Sequence, residues 1–227
     1  MPRVSYLICC HNETETLNNL LQFIIKNRNP DDEIIILNDF SDNPITNDII
    51  DKTNINKYVQ VYLHKLNNNY GNHKNFGIEK CKGDYIFQID GDELPPESLV
   101  GENLHELLDC NKSIEAFAVP RINDFRGVTE AHAIQWGWRL SISEKYNRPI
   151  VNWCDYQWRI FKRDYPRISF IRKLHEKIEG YLKFTTLPPN EDFALYHDKT
   201  IETQIATNIR YNKMFTPEEN QGHNVFK

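Results

Sequence analysis

Two aspartates separated by one glycine, Asp90 and Asp92, are the residues whose types and spacing most directly suggest chemistry. They follow the apolar run at residues 85–89, and such a run predicts a buried strand. Two carboxylates placed this way can share a divalent cation such as Mg²⁺ or Mn²⁺ and leave coordination positions open for phosphate oxygens. An acidic surface turn is the alternative explanation, because Asp and Gly are also common turn residues.

The elements that would position these carboxylates are predicted from the first half of the chain. Apolar runs at residues 4–9, 33–37, 59–63 and 85–89 alternate with segments of helical spacing. This alternation implies right-handed crossovers and a mostly parallel sheet. Ligands bind at the carboxyl ends of the strands in such sheets. The polar residues that follow each strand are therefore candidates for a site.

Several boundaries are predicted from local signals. The first helix is expected to have Asn12 as its N-cap, within a capping box, and another helix is expected to begin at Pro96. The second half loses the alternation. It is predicted to hold strands at residues 116–121 and 158–161, separated by an irregular aromatic-rich stretch, and a helix over residues 200–214.

Three motifs occur in a recognisable order. Residues 4–13 form an apolar strand that ends in His-Asn-Glu, and residues 36–42 read Ile-Leu-Asn-Asp-Phe-Ser-Asp. Residues 67–93 contain a His-Lys-Asn-Phe-Gly run, a Gly-Asp-Tyr-Ile turn and the strand that ends in Asp-Gly-Asp. This order resembles glycosyltransferase family 2 over about the first 120 residues. The resemblance implies an α/β GT-A fold, with a mostly parallel mixed sheet flanked by helices.

The sequence has no internal repeat, low-complexity segment or obvious linker, which favours a single domain over residues 1–227. The resemblance divides this domain into a nucleotide-sugar-binding half (1–120) and an acceptor-binding, catalytic half (121–227). Within the first half it implies a nucleotide-sugar site. That site is made of His11, Glu13, Asp39, Lys74, Asn75 and Asp90. Glu13 and Asp39 would hold the base and the ribose. Lys74 would lie near the diphosphate, and Asn75 would brace its loop.

The resemblance also implies a metal site for Mn²⁺ or Mg²⁺. Asp90 would lie near both the ribose and the metal, Asp92 would bind the metal directly, and His197 is the candidate for a third ligand. An ordinary loop histidine is the alternative for His197. The sequence departs from the family pattern at two positions. Asn38 replaces the first Asp of the usual pair, and Phe40 replaces the usual Gly. Both departures leave open which nucleotide base the site selects.

A second resemblance lies in the second half. An Asp-Tyr-Gln-Trp-Arg-Ile-Phe run at residues 155–161 precedes His175-Glu176. This is similar to a branch of the family that includes lipopolysaccharide-core sugar transferases, and it implies an inverting enzyme. Glu176 would be the base that takes the acceptor proton, with Asp155 as the second candidate. The alternative is a surface histidine beside a solvated glutamate.

Aromatic residues of the second half are candidates for an acceptor site, because aromatic faces stack on sugar rings. The acceptor candidates are Trp136, Trp138, Trp153, Arg159 and His175. The alternatives are that the tryptophans fill a core and that Arg159 forms a surface salt bridge.

Composition limits the partners. The formal net charge of −5 gives no support for a nucleic-acid partner, and no apolar stretch approaches the ~18 residues of a membrane span. The five cysteines include no C-x-x-C pair and are interpreted as reduced core thiols. We therefore expect a cytoplasmic protein without a transmembrane segment, with a location peripheral to a membrane as the alternative. The oligomeric state stays open.

Together these features predict a metal-dependent, inverting glycosyltransferase. It would move a sugar from a UDP- or GDP-type nucleotide-diphosphate sugar to a hydroxyl acceptor such as a polysaccharide or lipopolysaccharide. One alternative is a sugar-phosphate nucleotidyltransferase, although the segment after the first strand lacks the Gly-rich basic loop of those enzymes. The other is a non-catalytic protein that binds a nucleotide sugar or glycan.

Overall fold

The structure, a computed structural model, describes residues 1–220. The strands are β1 (Val4–Cys10), β2 (Glu33–Asn38), β3 (Val59–Leu63), β4 (Tyr85–Asp90), β5 (Glu93–Leu94), β6 (Ala116–Arg126), β7 (Leu140–Ile142), β8 (Pro149–Lys162), β9 (Ser169–Ile171), β10 (Lys177–Glu179), β11 (Phe184–Thr186) and β12 (Leu195–Thr200). The α-helices are α1 (Glu15–Asn27), α2 (Pro44–Asn54), α3 (Tyr70–Lys80), α4 (Glu102–Cys110), α5 (Glu130–Trp136) and α6 (Ile201–Met214).

The main sheet has the strand order β3-β2-β1-β4-β8-β6-β12-β5, with β7 paired to β8 and β11 paired to β6. The first four strands in this order are mutually parallel. β8 is antiparallel to both β4 and β6, whereas β12 is parallel to β6. β9 and β10 form a separate two-stranded sheet. The predicted α/β fold with a mostly parallel mixed sheet is therefore confirmed.

Burial on both faces explains the continuous apolar runs of the central strands. Alternate residues of a strand point to opposite faces, so Tyr6 and Ile8 join a cluster that includes the apolar face of α1. Leu7 instead joins a cluster on the other face, together with Ile35 of β2 and Ile78 of α3. The two clusters fix the sheet between helical layers and thereby hold its carboxyl edge in place.

The predicted capping box at Asn12 is wrong. α1 begins at Glu15 after Thr14, and its N-cap has no side-chain hydrogen bond. Asn12 has a left-handed backbone, with φ 69°, and its Oδ1 accepts from the backbone N–H groups of Asp42 and Asn43 at 2.9 and 3.0 Å. A contact between two loops therefore takes the side chain that the local pattern assigns to the helix.

The helix expected from Pro96 is also different in the structure. It is divided into a single 3-10 turn at Glu97–Leu99 and the separate helix α4. Gly101 lies between them with φ +62°, and a β-carbon there would lie 2.2 Å from the carbonyl oxygen of Asn27. The close approach of α1 therefore requires glycine and interrupts the helix.

The second half is more regular than predicted. β6 continues five residues beyond the predicted end at Arg121, and β8 has 14 residues and begins well before the predicted strand at residue 158. The cysteines are all free thiols in the described structure, but Cys110 is exposed rather than in the core. None of the helices in residues 1–220 is both long and apolar enough to cross a membrane.

Candidate active site at the carboxyl edge of the sheet

The parallel register of β1, β2 and β4 brings their carboxyl ends together. Cys10 is paired with Asn38 of β2, and Cys9 with Asp90 of β4. The polar residues that follow these strands therefore meet at one edge, as expected for a parallel sheet. His11 Nδ1 donates to the carbonyl oxygen of Asp39 at 2.8 Å, which joins the first two loops directly.

Glu13 links the loop after β1 to the loop after β4. Its Oε2 accepts from the backbone N–H of His11 at 2.6 Å, and a β-carbon added to Gly91 would lie 3.1 Å from the same oxygen. Burial raises the pKa of Glu13 to about 7. Asp39 fixes the next loop, because its Oδ1 accepts from the backbone N–H of Leu66 at 2.8 Å.

Asn38, one of the two departures from the family pattern, supports the turn that follows β2. Its side chain is buried, and its Oδ1 accepts from both the backbone N–H and the hydroxyl of Ser41, at 2.8 and 2.7 Å. In this position an amide oxygen performs a structural task. The side chain is directed into the loop, where it holds the turn closed.

Lys74 and Arg159 form a buried cationic pair around Asp90. Lys74 Nζ lies 3.1 Å from Asp90 Oδ1 and 2.5 Å from Glu176 Oε1. Arg159 Nη2 lies 2.7 Å from Asp90 Oδ2 and 2.6 Å from Glu93 Oε1. Although burial acts to raise it, the pKa of Asp90 is held well below its usual range by Arg159 and Lys74. Asp90 is therefore a carboxylate that is already neutralised by protein cations.

Asp155 lies in a second ion pair of the same network. Its Oδ2 is 2.7 Å from Arg121 Nη2 and 2.9 Å from Asn123 Nδ2, and its Oδ1 accepts from Gln157 at 2.9 Å. Burial acts to raise the pKa of Asp155, but Arg121 and these hydrogen bonds keep that pKa below its usual value. Arg121 also lies 3.0 Å from Glu93. Glu93 therefore joins this ion pair to the pair around Asp90.

Asp92 faces a different set of residues from Asp90. Its Oδ2 lies 3.2 Å from His197 Nε2 and 3.3 Å from Lys199 Nζ. His197 Nδ1 is 2.9 Å from Asn123 Oδ1, and because an amide oxygen can only accept, Nδ1 carries the proton. Burial acts to raise the pKa of Asp92, but His197 and Lys199 hold that pKa below its usual range.

The pair formed by Asp92 and His197 fits a divalent cation. His197 Nε2 lies 3.2 Å from Asp92 Oδ2, so a nitrogen and an oxygen that can both act as metal ligands are adjacent. Neighbouring ligand atoms around an octahedral cation with bonds of about 2.1 Å lie about 3 Å apart. The hydrogen bond from Nδ1 to Asn123 is also the kind that orients a histidine ligand.

The three predicted metal ligands are not assembled around one point. Within residues 1–220, no group of three or more His, Cys, Asp or Glu side chains is arranged to hold a metal ion. The structure brings Asp92 and His197 together, while both oxygens of Asp90 are in contact with Arg159 or Lys74. A metal held by two side chains would leave most of its coordination positions for a ligand such as a diphosphate.

The His-Glu segment lies against α3 and α6. His175 is exposed with φ 50°, and its Nε2 is 3.2 Å from Asn220 Oδ1. Glu176 approaches Lys74 through Oε1, and Oε2 accepts no hydrogen bond from the described part of the chain. Asn75 holds the neighbouring strand β9, because it exchanges two hydrogen bonds with the backbone of Phe170, at 2.9 and 2.8 Å.

Four aromatic side chains form a ladder that ends at His197. The ring centroids of Trp136 and Trp138 are 4.6 Å apart, those of Trp138 and Phe125 are 5.5 Å apart, and those of Phe125 and His197 are 5.7 Å apart. His132 stacks on the outer end, with its plane 10° from that of Trp136. Both tryptophans are partly exposed. They therefore form a surface that leads away from the Asp92–His197 pair.

Two of the predicted acceptor residues lie elsewhere. Trp153 is partly buried and packs against the cluster of Ile122 and Ile150. Arg159 is 4% exposed and lies between Asp90 and Glu93, so it is part of the buried network. A guanidinium in this position stabilises the carboxylates of the site and is not available to contact an acceptor.

Sequence reasoning gave no role to several residues of this network. The residues are Gln88, Glu93 and Asn123. A signal was present, because polar residues at alternate positions of a strand lie on one face. The polar set at 155, 157 and 159 and the set at 121 and 123 have this spacing.

The sequence model of the family described as Glycosyl transferase family 2 matches residues 5–176. Among curated proteins, the chain is 32% identical over 91 residues to poly-beta-1,6-N-acetyl-D-glucosamine synthase of Staphylococcus epidermidis. That match covers 39% of this chain and 21% of the synthase. An uncharacterized glycosyltransferase of Haemophilus influenzae is 25% identical over 115 residues, which cover 51% of this chain and 35% of that protein. The chain thus spans a fifth to about a third of these relatives' lengths.

Solved structures show a similar fold at low sequence identity. S. aureus TarS 1-349 in complex with UDP-GlcNAc superposes with a TM-score of 0.61 at 13% identity, over 87% of this chain and 58% of that chain. The mannosyltransferase PcManGT from Pyrobaculum calidifontis, in complex with GDP-Man and Mn²⁺, gives 0.60 at 16% identity, over 98% of this chain and 65% of that chain.

Proposed function

The chain belongs to glycosyltransferase family 2, and we propose that it transfers a sugar from a nucleotide-diphosphate sugar to a hydroxyl group of an acceptor. One observation carries this proposal. Asp92 Oδ2 and His197 Nε2, two atoms that can act as metal ligands, lie 3.2 Å apart at the carboxyl edge of the sheet. The neighbouring carboxylate, Asp90, is neutralised by Lys74 and Arg159, so the site can accept the negative charge of a donor.

Asp92 and His197 would hold the divalent metal, Mn²⁺ or Mg²⁺. When bound, the metal supplies positive charge that stabilises the leaving diphosphate. Lys199, 3.3 Å from Asp92, adds a protein cation beside the same carboxylate. Lys74 lies deeper and is fixed between Asp90 and Glu176, so its charge orients these two carboxylates. Solved neighbours with UDP-GlcNAc and with GDP-Man and Mn²⁺ support this use of the fold.

Glu176 is the better of the two candidate bases. Both oxygens of Asp155 already accept hydrogen bonds, whereas Oε2 of Glu176 has no partner in the described chain. The contact with Lys74 at 2.5 Å fixes Oε1, and Oε2 remains to accept the proton of an acceptor hydroxyl. Attack on the anomeric carbon from this side, opposite the diphosphate, would invert its configuration.

The donor is of the UDP or GDP type, held by the loops that carry His11, Glu13 and Asp39. The acceptor is a glycan such as a polysaccharide or lipopolysaccharide, and the ladder of Trp136 and Trp138 would provide a stacking surface for its sugar rings. His175 is exposed beside Glu176 and would contact the same acceptor. We propose a cytoplasmic enzyme that works in solution or at a membrane surface.

Replacement of Asp92 by asparagine tests the proposal. We expect Mn²⁺ to raise the melting temperature of the wild-type protein together with UDP or GDP, and to have no such effect on Asp92→Asn. Release of UDP or GDP from a matching donor should fall at least about 100-fold in this variant. Asp48→Asn is the matched control, because Asp48 is exposed and its ion pair in the described residues is with Lys52 on the same helix. Equal metal dependence in both variants would contradict the assignment.

A further inference from the structure

Phe40 is an aromatic residue in an unusual position. It lies just after β2, where the family pattern has glycine, and its backbone is left-handed with φ 48°. A bulky side chain is rarely found in this region, because the β-carbon is crowded there. Phe40 is also 56% exposed and belongs to none of the hydrophobic clusters of the described chain. Neither backbone preference nor core packing therefore accounts for phenylalanine here.

The loop that carries Phe40 is held on both sides. Asn38 Oδ1 accepts from the backbone and hydroxyl of Ser41, and the backbone N–H of Asp39 donates to the carbonyl oxygen of Cys10 at 3.0 Å. The backbone N–H of Asn12 donates to Ser41 Oγ at 3.0 Å. Phe40 is thus the projecting residue of a turn that is fixed against the loop after β1. Its ring is exposed although its backbone is firmly placed.

Residues next to Phe40 in its loop and in the loop after β1 belong to the expected nucleotide site. His11 is hydrogen-bonded to the carbonyl oxygen of Asp39, directly before Phe40, and its side chain is 46% exposed. The Asp39 side chain lies between His11 Nδ1, 3.8 Å away, and the backbone N–H of Leu66. An exposed aromatic residue therefore stands beside polar residues that are already hydrogen-bonded.

We propose that Phe40 is a stacking platform for the nucleobase of the donor, a role that rests on the proposed function. Every nucleobase presents a flat face, and stacking on an aromatic ring strengthens binding without reading the base edges. Phe40 would therefore raise affinity for both pyrimidine and purine nucleotides. The gain in affinity should be larger for a purine nucleotide, because a purine has the larger stacking face. Discrimination between bases would be left to polar groups such as Glu13.

The test compares Phe40→Gly with wild type in calorimetric titrations with UDP, GDP and inorganic pyrophosphate, each with Mn²⁺. We expect UDP and GDP to bind about 10- to 100-fold more weakly to the variant, and pyrophosphate to bind equally to both proteins. Glycine tolerates the left-handed backbone, so the ligand-free variant should melt at the same temperature or higher. Weaker binding by a protein that is no less stable cannot arise from unfolding.

Two further variants separate stacking from apolar contact. Phe40→Trp should retain or improve the affinity for both nucleotides. Phe40→Leu should show most of the loss of nucleotide affinity that Phe40→Gly shows. Ile55→Ala removes an exposed apolar side chain at the far end of α2 and should change nothing. Three outcomes would overturn the inference about Phe40 while leaving the proposed function in place. They are equal nucleotide affinity in Phe40→Gly and wild type, full nucleotide affinity in Phe40→Leu, and a loss of pyrophosphate binding in Phe40→Gly that matches its loss of nucleotide binding. Failure of the wild type to bind either nucleotide would overturn the proposed function as well.

Discussion

Replacement of Glu93 by alanine removes the carboxylate on which the guanidinium groups of Arg159 and Arg121 converge. The Glu93 side chain is fully buried, with Oε1 2.6 Å from Arg159 and 3.0 Å from Arg121. Its other oxygen accepts from the backbone N–H of Asp90 at 3.1 Å. These contacts connect the end of β4 to β6 and β8. Loss of the carboxylate is therefore expected to reduce stability as well as activity.

The expected loss is at the lower end of the range for a broken buried ion pair. Removal of one partner costs about 3–5 kcal/mol when the other charge is left unpaired. Here Arg159 keeps Asp90 as a partner, and Arg121 keeps Asp155. Neither guanidinium is left alone, so we expect Glu93→Ala to lower the free energy of unfolding by about 3 kcal/mol. Glu93→Gln retains the side-chain volume and one acceptor oxygen, so its free energy of unfolding should fall by less than that of Glu93→Ala.

Urea unfolding followed by tryptophan fluorescence measures this difference directly. The slope of the transition should be the same for variant and wild type, since the surface exposed on unfolding is unchanged. Asp48→Ala is the control, because it removes an exposed pair within one helix that contributes only about 0.5 kcal/mol or less. If the free energy of unfolding of Glu93→Ala were within about 1 kcal/mol of the wild-type value, the ion pairs of Glu93 would not stabilise the fold.

The remaining predictions concern the base, the acceptor surface and pH. Glu176→Gln should lower kcat by about 100-fold or more with unchanged UDP or GDP affinity in calorimetry; a larger loss in Asp155→Asn would identify Asp155 as the base instead. Trp138→Ala should raise KM for a glycan acceptor roughly 3- to 10-fold and leave the donor KM unchanged; an unchanged acceptor KM would exclude the ladder from the acceptor site. Burial lowers the pKa of His73 to about 4, so the unfolded chain takes up its proton at higher pH than the folded chain. His73 therefore makes stability fall as pH drops from about 6.5 toward 4, and in His73→Gln the difference in unfolding free energy between pH 7 and pH 4.5 should shrink by about 2 kcal/mol. An identical pH dependence would show that His73 is not a neutral buried group.

The first half of the chain was predicted well because burial on both faces gives β1, β2 and β4 continuous apolar sequences. Once these strands are parallel, their carboxyl ends must meet, so the positions of Glu13, Asp39 and Asp90 at one edge followed from the strand pattern. The capping box predicted at Asn12 was wrong, because the Asn12 side chain accepts hydrogen bonds from the loop after β2 rather than from α1. Hydrogen bonds between loops cannot be read from one segment alone.

The second half was harder because its strands carry the polar side chains of the site. β8 is interrupted by Asp155, Gln157 and Arg159, so it lacks the apolar continuity of a buried strand. The partners of these side chains, such as Arg121 and Glu93, come from other strands. Sequence spacing can suggest the residues on one face of a strand, but pairings between distant strands depend on how the sheet is closed.

The position of β8 between β4 and β6 limits how this enzyme can be recombined with its relatives. Arg159 of β8 neutralises Asp90, and Glu176 pairs with Lys74, so each half of the chain supplies counter-charges for the other. In a chimera joined near residue 120, the charged residues of each half would come from different proteins, so their ion pairs across the two halves would not be preserved. An isolated first half would also leave one edge of β4 unpaired and open to association with other chains. If the ladder of Trp136 and Trp138 binds the acceptor as proposed, new acceptor specificity is better sought by changing the α5 region than by exchanging halves.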